Sequence, residues 1–112
     1  MKPLINFSDI SLKIKCEDTA SINLEVSIFQ KGEYRICIDI PPSMPVFFCD
    51  TNSNSKCITD ICESDSGEFD HSIDICFKSS KKDLYNFTLT GTVTDADGLS
   101  KSDYLTVNLN CQ

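Results

Sequence analysis

The feature that most constrains this chain is a strict alternation of apolar and polar residues over its last quarter, from Leu84 to Cys111. A period of two is typical of half-buried β-strands, because successive side chains of a strand point to opposite faces. The segment Asp95-Ala96-Asp97-Gly98 interrupts the alternation with turn-forming residues, and its glycine tolerates a positive φ. We therefore predict a β-hairpin, whose apolar side needs a second layer of structure to cover it. That apolar side is Tyr85, Phe87, Leu89, Gly91 and Val93, then Leu105, Val107, Leu109 and Cys111.

The same alternation recurs along the rest of the chain, without any convincing helical period or internal repeat. Counting the hairpin, it predicts six or seven short strands, around residues 6–16, 22–28, 34–40, 46–49, 69–77, 85–94 and 104–111. Short strands at regular spacing are typical of an all-β fold, here an antiparallel two-sheet β-sandwich of immunoglobulin-like type. We expect a single domain over residues 1–112.

A long cysteine-containing loop is expected at about residues 46–67, where Asp50 to Gly67 is dense in Asp, Asn and Ser. One helical turn at Ile58 to Cys62 would fit within it. Long loops in compact domains are usually pinned or functional, and loops on rigid sandwiches often carry binding residues. This loop is thus the first place where the sequence alone predicts a partner surface, unless it is merely solvated and held by disulfides.

Seven cysteines in 112 residues indicate a disulfide framework and therefore a secreted or cell-surface setting. Because the number is odd, at least one cysteine is free, joined to a second chain in a dimer, or joined to a cysteine outside this sequence. Zinc is the alternative, although no pair has the Cys-x2-Cys spacing of structural zinc sites. Its ligands would be Cys49, Cys57, Cys62 and His71. The disulfide candidates are Cys16, Cys37, Cys49, Cys57, Cys62, Cys76 and Cys111.

The side of each strand on which a cysteine falls indicates which pairs could form. Cys16 and Cys111 both lie on the apolar side, so they could join the first and last strands near the core. Cys37 and Cys76 both lie on the polar side, and they could pair if their strands are neighbours. Two of the three remaining cysteines would then hold the long loop, and the third would be the odd one.

The charge of the chain disfavours a nucleic-acid partner. Ten basic residues against seventeen acidic ones give a net charge of −7, whereas phosphate contacts need clustered Lys and Arg. No apolar run approaches the length of a membrane span. Residues 1–5 lack the apolar core of a signal peptide, so a secreted form is expected to have lost its signal already. Two N-glycosylation sequons, at Asn6 and Asn86, agree with a secretory route.

The sequence presents no positive case for catalysis or for a cofactor. His71 is the only histidine, and no nucleophile elbow or catalytic-cysteine signature accompanies it. We expect it at the rim of the core or in a turn. The Asp95 to Gly98 segment could ligate calcium, but its glycine comes too early for an EF-hand loop and the bidentate Glu is missing. A hairpin turn explains that segment without a metal, so we expect no metal site.

The hairpin Tyr85 to Ser100, with Leu105-Thr106-Val107-Asn108-Leu109, resembles the last two strands of immunoglobulin-like extracellular modules of cadherin-like and polycystic-kidney-disease type. The resemblance covers about a quarter of the chain. It implies a binding or spacer module on a surface protein. The core tryptophan of antibody-type domains is absent, because the chain contains no Trp.

A second resemblance is to the ML lipid-recognition family. Asn6-Phe7-Ser8-Asp9 is similar to the opening of that family, and Lys31 to Ile40 is similar to its Lys-Gly strand. The cysteine positions do not correspond, and the middle of the chain is short for all the family's strands. The resemblance implies a lipid held between the sheets. Its contacts would come from Ile36, Ile38, Phe47, Ile75 and Phe87, which are otherwise simply core residues.

The sequence thus predicts a non-enzymatic secreted or cell-surface module for recognition or adhesion, with a protein or glycan partner. A lipid carrier of ML type is the alternative.

Overall fold

The alternating segments form nine β-strands in a computed structural model that describes all 112 residues. All of the regular structure is strand, so no helix is present that could cross a membrane. The strands are β1 (Leu4–Phe7), β2 (Ser11–Lys15), β3 (Thr19–Ile28), β4 (Gly32–Asp39), β5 (Val46–Phe48), β6 (Ser55–Cys62), β7 (Gly67–Ser79), β8 (Leu84–Thr94) and β9 (Ser100–Asn110).

Two sheets pack face to face, which confirms the predicted all-β sandwich. One sheet has four strands in the order β1-β3-β7-β5, and the other has five in the order β2-β9-β8-β4-β6. Neighbouring strands are antiparallel except β2 and β9, which run parallel from Ser11↔Thr106 to Lys15↔Asn110. The structure therefore has nine strands, two or three more than the sequence predicted. The first predicted strand is in fact two strands, and the predicted long loop contains another.

The inward faces of both sheets form one hydrophobic core of 23 buried residues. Leu24, Ile38 and Phe77 are each at most 1% exposed, and Phe77 stacks against Phe48 with ring centroids 5.5 Å apart. Because these residues occupy alternate positions on their strands, the polar residues between them face solvent.

The first predicted strand, residues 6–16, is two strands that belong to different sheets. Ser8 N donates to Asn23 O of β3 at 2.9 Å, whereas Ile10 O accepts from Thr106 N of β9 at 3.1 Å. The chain crosses from one sheet to the other at Asp9, between these bonds. Ile10, which the alternation placed inward, lies at this crossover and is 87% exposed.

The predicted loop at residues 46–67 was wrong in its second half, because strand β6 lies within it and no helical turn forms at Ile58 to Cys62. Residues 55–62 pair with β4 in antiparallel register, from Gly32↔Cys62 to Asp39↔Ser55. The strand is at the edge of its sheet, and only its last residue is buried. Its composition is therefore mostly polar, which is why the sequence suggested a loop.

Glycine at position 91 allows β1 to approach the five-stranded sheet closely. A Cβ atom on Gly91 would lie 2.8 Å from Phe7 Cζ and 3.4 Å from Ile5 Cδ1. The backbone N–H of Phe7 also donates to Asp103 Oδ2 of β9 at 2.8 Å. These contacts hold the short β1 strand across the end of the opposite sheet.

The variant Gly91→Ala should lower the free energy of unfolding by about 1–3 kcal/mol, because the added methyl overpacks against the Phe7 ring. Urea denaturation would measure the change. Thr88→Val, on the outward face of the same strand, is the control and should change stability by less than about 0.5 kcal/mol. A Gly91→Ala protein as stable as wild type would show that the ring does not lie on this glycine.

Candidate recognition surface

The outward face of β8 and β9 carries no charged residue. The two strands pair from Leu84↔Asn110 to Thr94↔Ser100, and every second pair points to solvent. We call these twelve outward residues the neutral strip. They are Leu84, Asn86, Thr88, Thr90, Thr92 and Thr94 on β8, and Ser100, Ser102, Tyr104, Thr106, Asn108 and Asn110 on β9.

The absence of charge on the neutral strip contrasts with the outward face of the other sheet. Charged residues make up 24% of the chain and are normally concentrated at the surface. The five outward pairs of β3 and β7 include four carboxylates and no basic residue, and Glu25 lies directly opposite Asp70. The carboxylates are Glu25, Glu68, Asp70 and Asp74. The outward side of β3 and β7 is therefore acidic, whereas the neutral strip on the other sheet is uncharged.

Side chains on the neutral strip are ordered by hydrogen bonds across the two strands. The hydroxyls of Thr92 and Ser102 are 2.8 Å apart, and Asn86 Nδ2 donates to Asn108 Oδ1 at 3.0 Å. The Tyr104 ring stands between these groups and is 60% exposed. Hydroxyl and amide groups both donate and accept hydrogen bonds, and Tyr, Ser and Asn are among the residues enriched in the binding loops of antibodies.

Charged residues border the neutral strip on both sides. On one side, Lys13 and Lys15 of β2 lie opposite Asn108 and Asn110. On the other side, the outward residues of β4 next to β8 include Arg35, opposite Thr94. Depletion of charged residues at the centre, with a polar and solvent-accessible rim, is a feature of protein interfaces.

His71 lies where the sequence predicted, on the inward face of β7 near the rim of the core. Its Nε2 atom is 2.9 Å from the hydroxyl oxygen of Tyr34, and that hydroxyl lies 3.4 Å from Asp60 Oδ2. Tyr34 is 1% exposed. Burial raises the pKa of Tyr34 well above its usual value, and the nearby Asp60 carboxylate adds to the shift. The partner of the histidine is thus a protonated phenol, not a serine or cysteine nucleophile.

Alkaline conditions should weaken the fold through Tyr34. Its pKa is raised in the folded protein, so its contribution to stability is fully present below the unfolded-state value of about 10 and is lost as the pH rises above it. We expect the free energy of unfolding to fall by about 1 kcal/mol more in wild type than in Tyr34→Phe between pH 8 and 10.5. Urea denaturation at both pH values would measure this, and an equal loss of stability in the two proteins would contradict it.

Three disulfides form, and their pattern corrects part of the prediction from strand sides. Cys16 pairs with Cys111, as the apolar-side pair suggested. The predicted pair of Cys37 with Cys76 was wrong, because β4 and β7 lie in different sheets. Nor do two cysteines of the predicted loop pair with each other. The other two disulfides are Cys37–Cys57, which joins β4 to β6, and Cys49–Cys76, which joins the segment after β5 to β7.

The odd cysteine is Cys62, at the end of β6. It is 0% exposed, and its thiol donates to Ser64 O at 3.3 Å. A disulfide-linked dimer through Cys62 would require this end of β6 to open. The zinc alternative fails for a different reason, because two of its four ligands, Cys49 and Cys57, are bonded in disulfides.

Cys62 should therefore react with iodoacetamide only after unfolding. Intact mass measurement should show no added group on the native protein and one on the protein labelled in denaturant without reductant. The variant Cys62→Ala should show none under either condition. A native protein that takes up one label would mean that the end of β6 opens readily.

The Asp95 to Gly98 segment, which the sequence offered as a possible calcium site, has a structural role. Asp95 is 6% exposed, and its Oδ1 atom accepts hydrogen bonds from the N–H groups of Asp97 and Leu99 at 2.9 and 3.0 Å. Gly98 follows with a φ of 83°. The Asp95 carboxylate thus closes the β8–β9 turn, and no group of three or more His, Cys, Asp or Glu side chains lies close enough to hold a metal.

The residues that the lipid-carrier alternative placed around a ligand pack into the core instead. Ile36, Ile38, Ile75 and Phe87 are each at most 5% exposed, whereas Phe47 points away from the core on the short strand β5. One space between the sheets, beside Phe7, Leu12, Ile22 and Leu105, measures about 10 Å³, far below a ligand cavity of several hundred Å³. A larger space of about 810 Å³ beside Ile14, Ala20, Tyr85 and Leu109 is open to solvent.

No protein-family model matches the chain, and no curated protein does. Among solved structures, the chain is similar to the ASH/PapD-like domain of human CEP192 (PapD-like domain 7), at 10% identity and a TM-score of 0.49, covering 96% of this chain and 84% of that one. It is also similar to a non-cellulosomal cohesin from the hyperthermophilic archaeon Archaeoglobus fulgidus, at 13% identity and a TM-score of 0.45, covering 97% and 91%. The cadherin-like, polycystic-kidney-disease-type and ML resemblances remain predictions.

Proposed function

We propose that this protein is a non-enzymatic recognition module that acts outside the cytoplasm and binds a protein or glycan on a cell surface through the neutral strip. The observation that carries the proposal is the twelve-residue outward face without a charge, in a chain whose net charge is −7. A surface of this size and composition on an acidic protein is not needed for solubility, since charged side chains serve that purpose better.

The physical advantage of the neutral strip lies in the cost of removing water. Burying an unpaired charged group against a partner is expensive, whereas hydroxyl and amide groups lose less hydration and regain hydrogen bonds. The exposed Tyr104 ring adds apolar area with only two rotatable bonds, which makes aromatic residues common anchors of interfaces. The cross-strand hydrogen bonds hold neighbouring side chains in place before the partner arrives, which lowers the entropy cost of binding.

The extracytoplasmic setting rests on the three disulfides, which persist in oxidising compartments. N-glycosylation at Asn6 is part of the same proposal, whereas the sequon at Asn86 is expected to be unoccupied in the chain that binds. Asn6 faces solvent on β1 of the other sheet, whereas Asn86 lies within the neutral strip beside Asn108. A glycan on Asn86 would cover that end of the strip, so we expect partner binding by the chain that is unmodified at this position.

Binding to arrays of uncharged oligosaccharides and of extracellular protein domains tests the proposal. The wild-type protein should bind at least one ligand, and Thr90→Lys should weaken that binding at least about tenfold, because it buries a charge at the centre of the strip. Ser72→Lys places the same residue on the acidic face and should bind within about twofold of wild type.

The proposal is overturned if neither array yields a ligand. It is also overturned if Ser72→Lys weakens binding as much as Thr90→Lys, because the contact surface would then not be the neutral strip. Urea denaturation of both variants separates a loss of binding from a loss of folding.

A further inference from the structure

The edge strand β6 differs from the other edges of the two sheets. The end strands are β1 and β5 in one sheet and β2 and β6 in the other. β1, β2 and β5 have only three to five residues, while β6 has eight. Proteins normally protect a long edge with lysines, prolines or a bulge, because unpaired backbone groups attract other strands. Lys13 and Lys15 protect the edge of β2 in this way. β5 pairs only with the last residues of β7, and the unpaired part of β7 is protected by outward carboxylates.

The register identifies the backbone groups that β6 leaves free. The Cα atoms of Cys37 and Cys57 are 4.1 Å apart, the spacing of a pair that does not share backbone hydrogen bonds in an antiparallel ladder. Cys57, Thr59 and Ile61 therefore direct their N–H and C=O groups away from β4. Asp60 Oδ1 accepts the N–H of Ile61 at 2.8 Å. The N–H groups of Cys57 and Thr59 and the C=O groups of all three residues are left free, over a span of about 14 Å.

The side chains along this edge leave it open. Lys56, the one lysine of β6, is turned away from the free edge, because its Nζ lies 2.9 Å from Asp50 and donates to Asp74 O at 2.8 Å. The Cys37–Cys57 disulfide fixes the middle of the strand to β4. Ile61 is 54% exposed beside the free groups. The edge is thus rigid, uncovered and partly apolar, which suits the addition of an extended strand.

The charges around β6 specify the chemistry of that strand. Glu33 lies opposite Ile61 on β4, and the exposed Glu63 and Asp65 follow β6 directly. Arg35, opposite Thr59, is the one basic side chain among them. The nearby Lys56 is already paired with Asp50, whose pKa it lowers, so the three carboxylates outnumber the available cation. A second copy of this chain would bring the same carboxylates and a net charge of −7, so the charge opposes pairing of β6 with itself.

We propose that the free edge of β6 binds an extended, basic segment of a partner protein as a sixth strand of the five-stranded sheet. The backbone groups of Cys57, Thr59 and Ile61 would bond to the segment, and its Lys or Arg side chains would face Glu33, Glu63 and Asp65. This edge is separate from the neutral strip, so the proposal goes beyond the recognition function and does not depend on it.

A synthetic nine-residue peptide that alternates Lys with Val tests the site, with the same peptide carrying Glu for Lys as the matched control. Amide hydrogen exchange by NMR should be fast at Cys57 and Thr59 in the free protein and at least tenfold slower with the Lys peptide. The Glu peptide should leave both amides unprotected. Equal protection by both peptides, or protection along β2 instead, overturns the proposal.

Two variants test the contacts separately. Thr59→Pro removes an N–H that points away from β4 and should lower the affinity for the Lys peptide at least tenfold. Thr59→Val keeps the N–H, and its affinity should stay within twofold of wild type. If Thr59→Pro fails to fold, Ile61→Lys serves instead, because it adds a repelling charge at an exposed position and should also weaken binding at least tenfold. Slow exchange at Cys57 and Thr59 that depends on protein concentration would show self-pairing and overturn the proposal.

Discussion

The antiparallel ladder between β8 and β9 is the interaction on which the five-stranded sheet depends. It joins eleven residue pairs without interruption. Within the sheet, β2 pairs only with β9, and β4 and β6 are connected to the ladder through β8. The inward residues of the two strands, such as Leu89 and Val107, are fully buried against the other sheet. Because the side-chain period of a strand is two, the register that buries these residues also aligns every outward residue on one surface. The register that forms the core therefore also forms the neutral strip.

Much of this architecture was predictable because β3, β4, β8 and β9 alternate strictly, and a buried face requires the pattern. The Cys16–Cys111 disulfide followed from the same argument, since both cysteines fell on apolar sides. β6 could not be predicted, because an edge strand with one buried residue has little need of apolar side chains. The crossover at Asp9 was hidden for the opposite reason: the alternation continues through Ile10 although the chain changes sheet there.

The candidate site was predictable in part. The uncharged side of the hairpin is visible in the sequence as a run of Thr and Asn, but only the register shows that two such runs lie side by side. The prediction placed the partner surface in the Asp50 to Gly67 loop, and the structure shows that part of this segment is the edge strand β6. The pairing of Cys37 with Cys57 depends on which strands are neighbours, and a sequence contains that information only indirectly.

The Cys16–Cys111 disulfide has a consequence for how the chain would respond to a mechanical force. A pulling force applied to Met1 and Gln112 passes from the N-terminal segment through the sulfur–sulfur bond to the C-terminus. The 95-residue separation between the two cysteines is thereby removed from the load path, and it contains all strands except β1 and β2. Only those first two strands would peel away, while the rest of the sandwich would hold its shape and its outward faces under load.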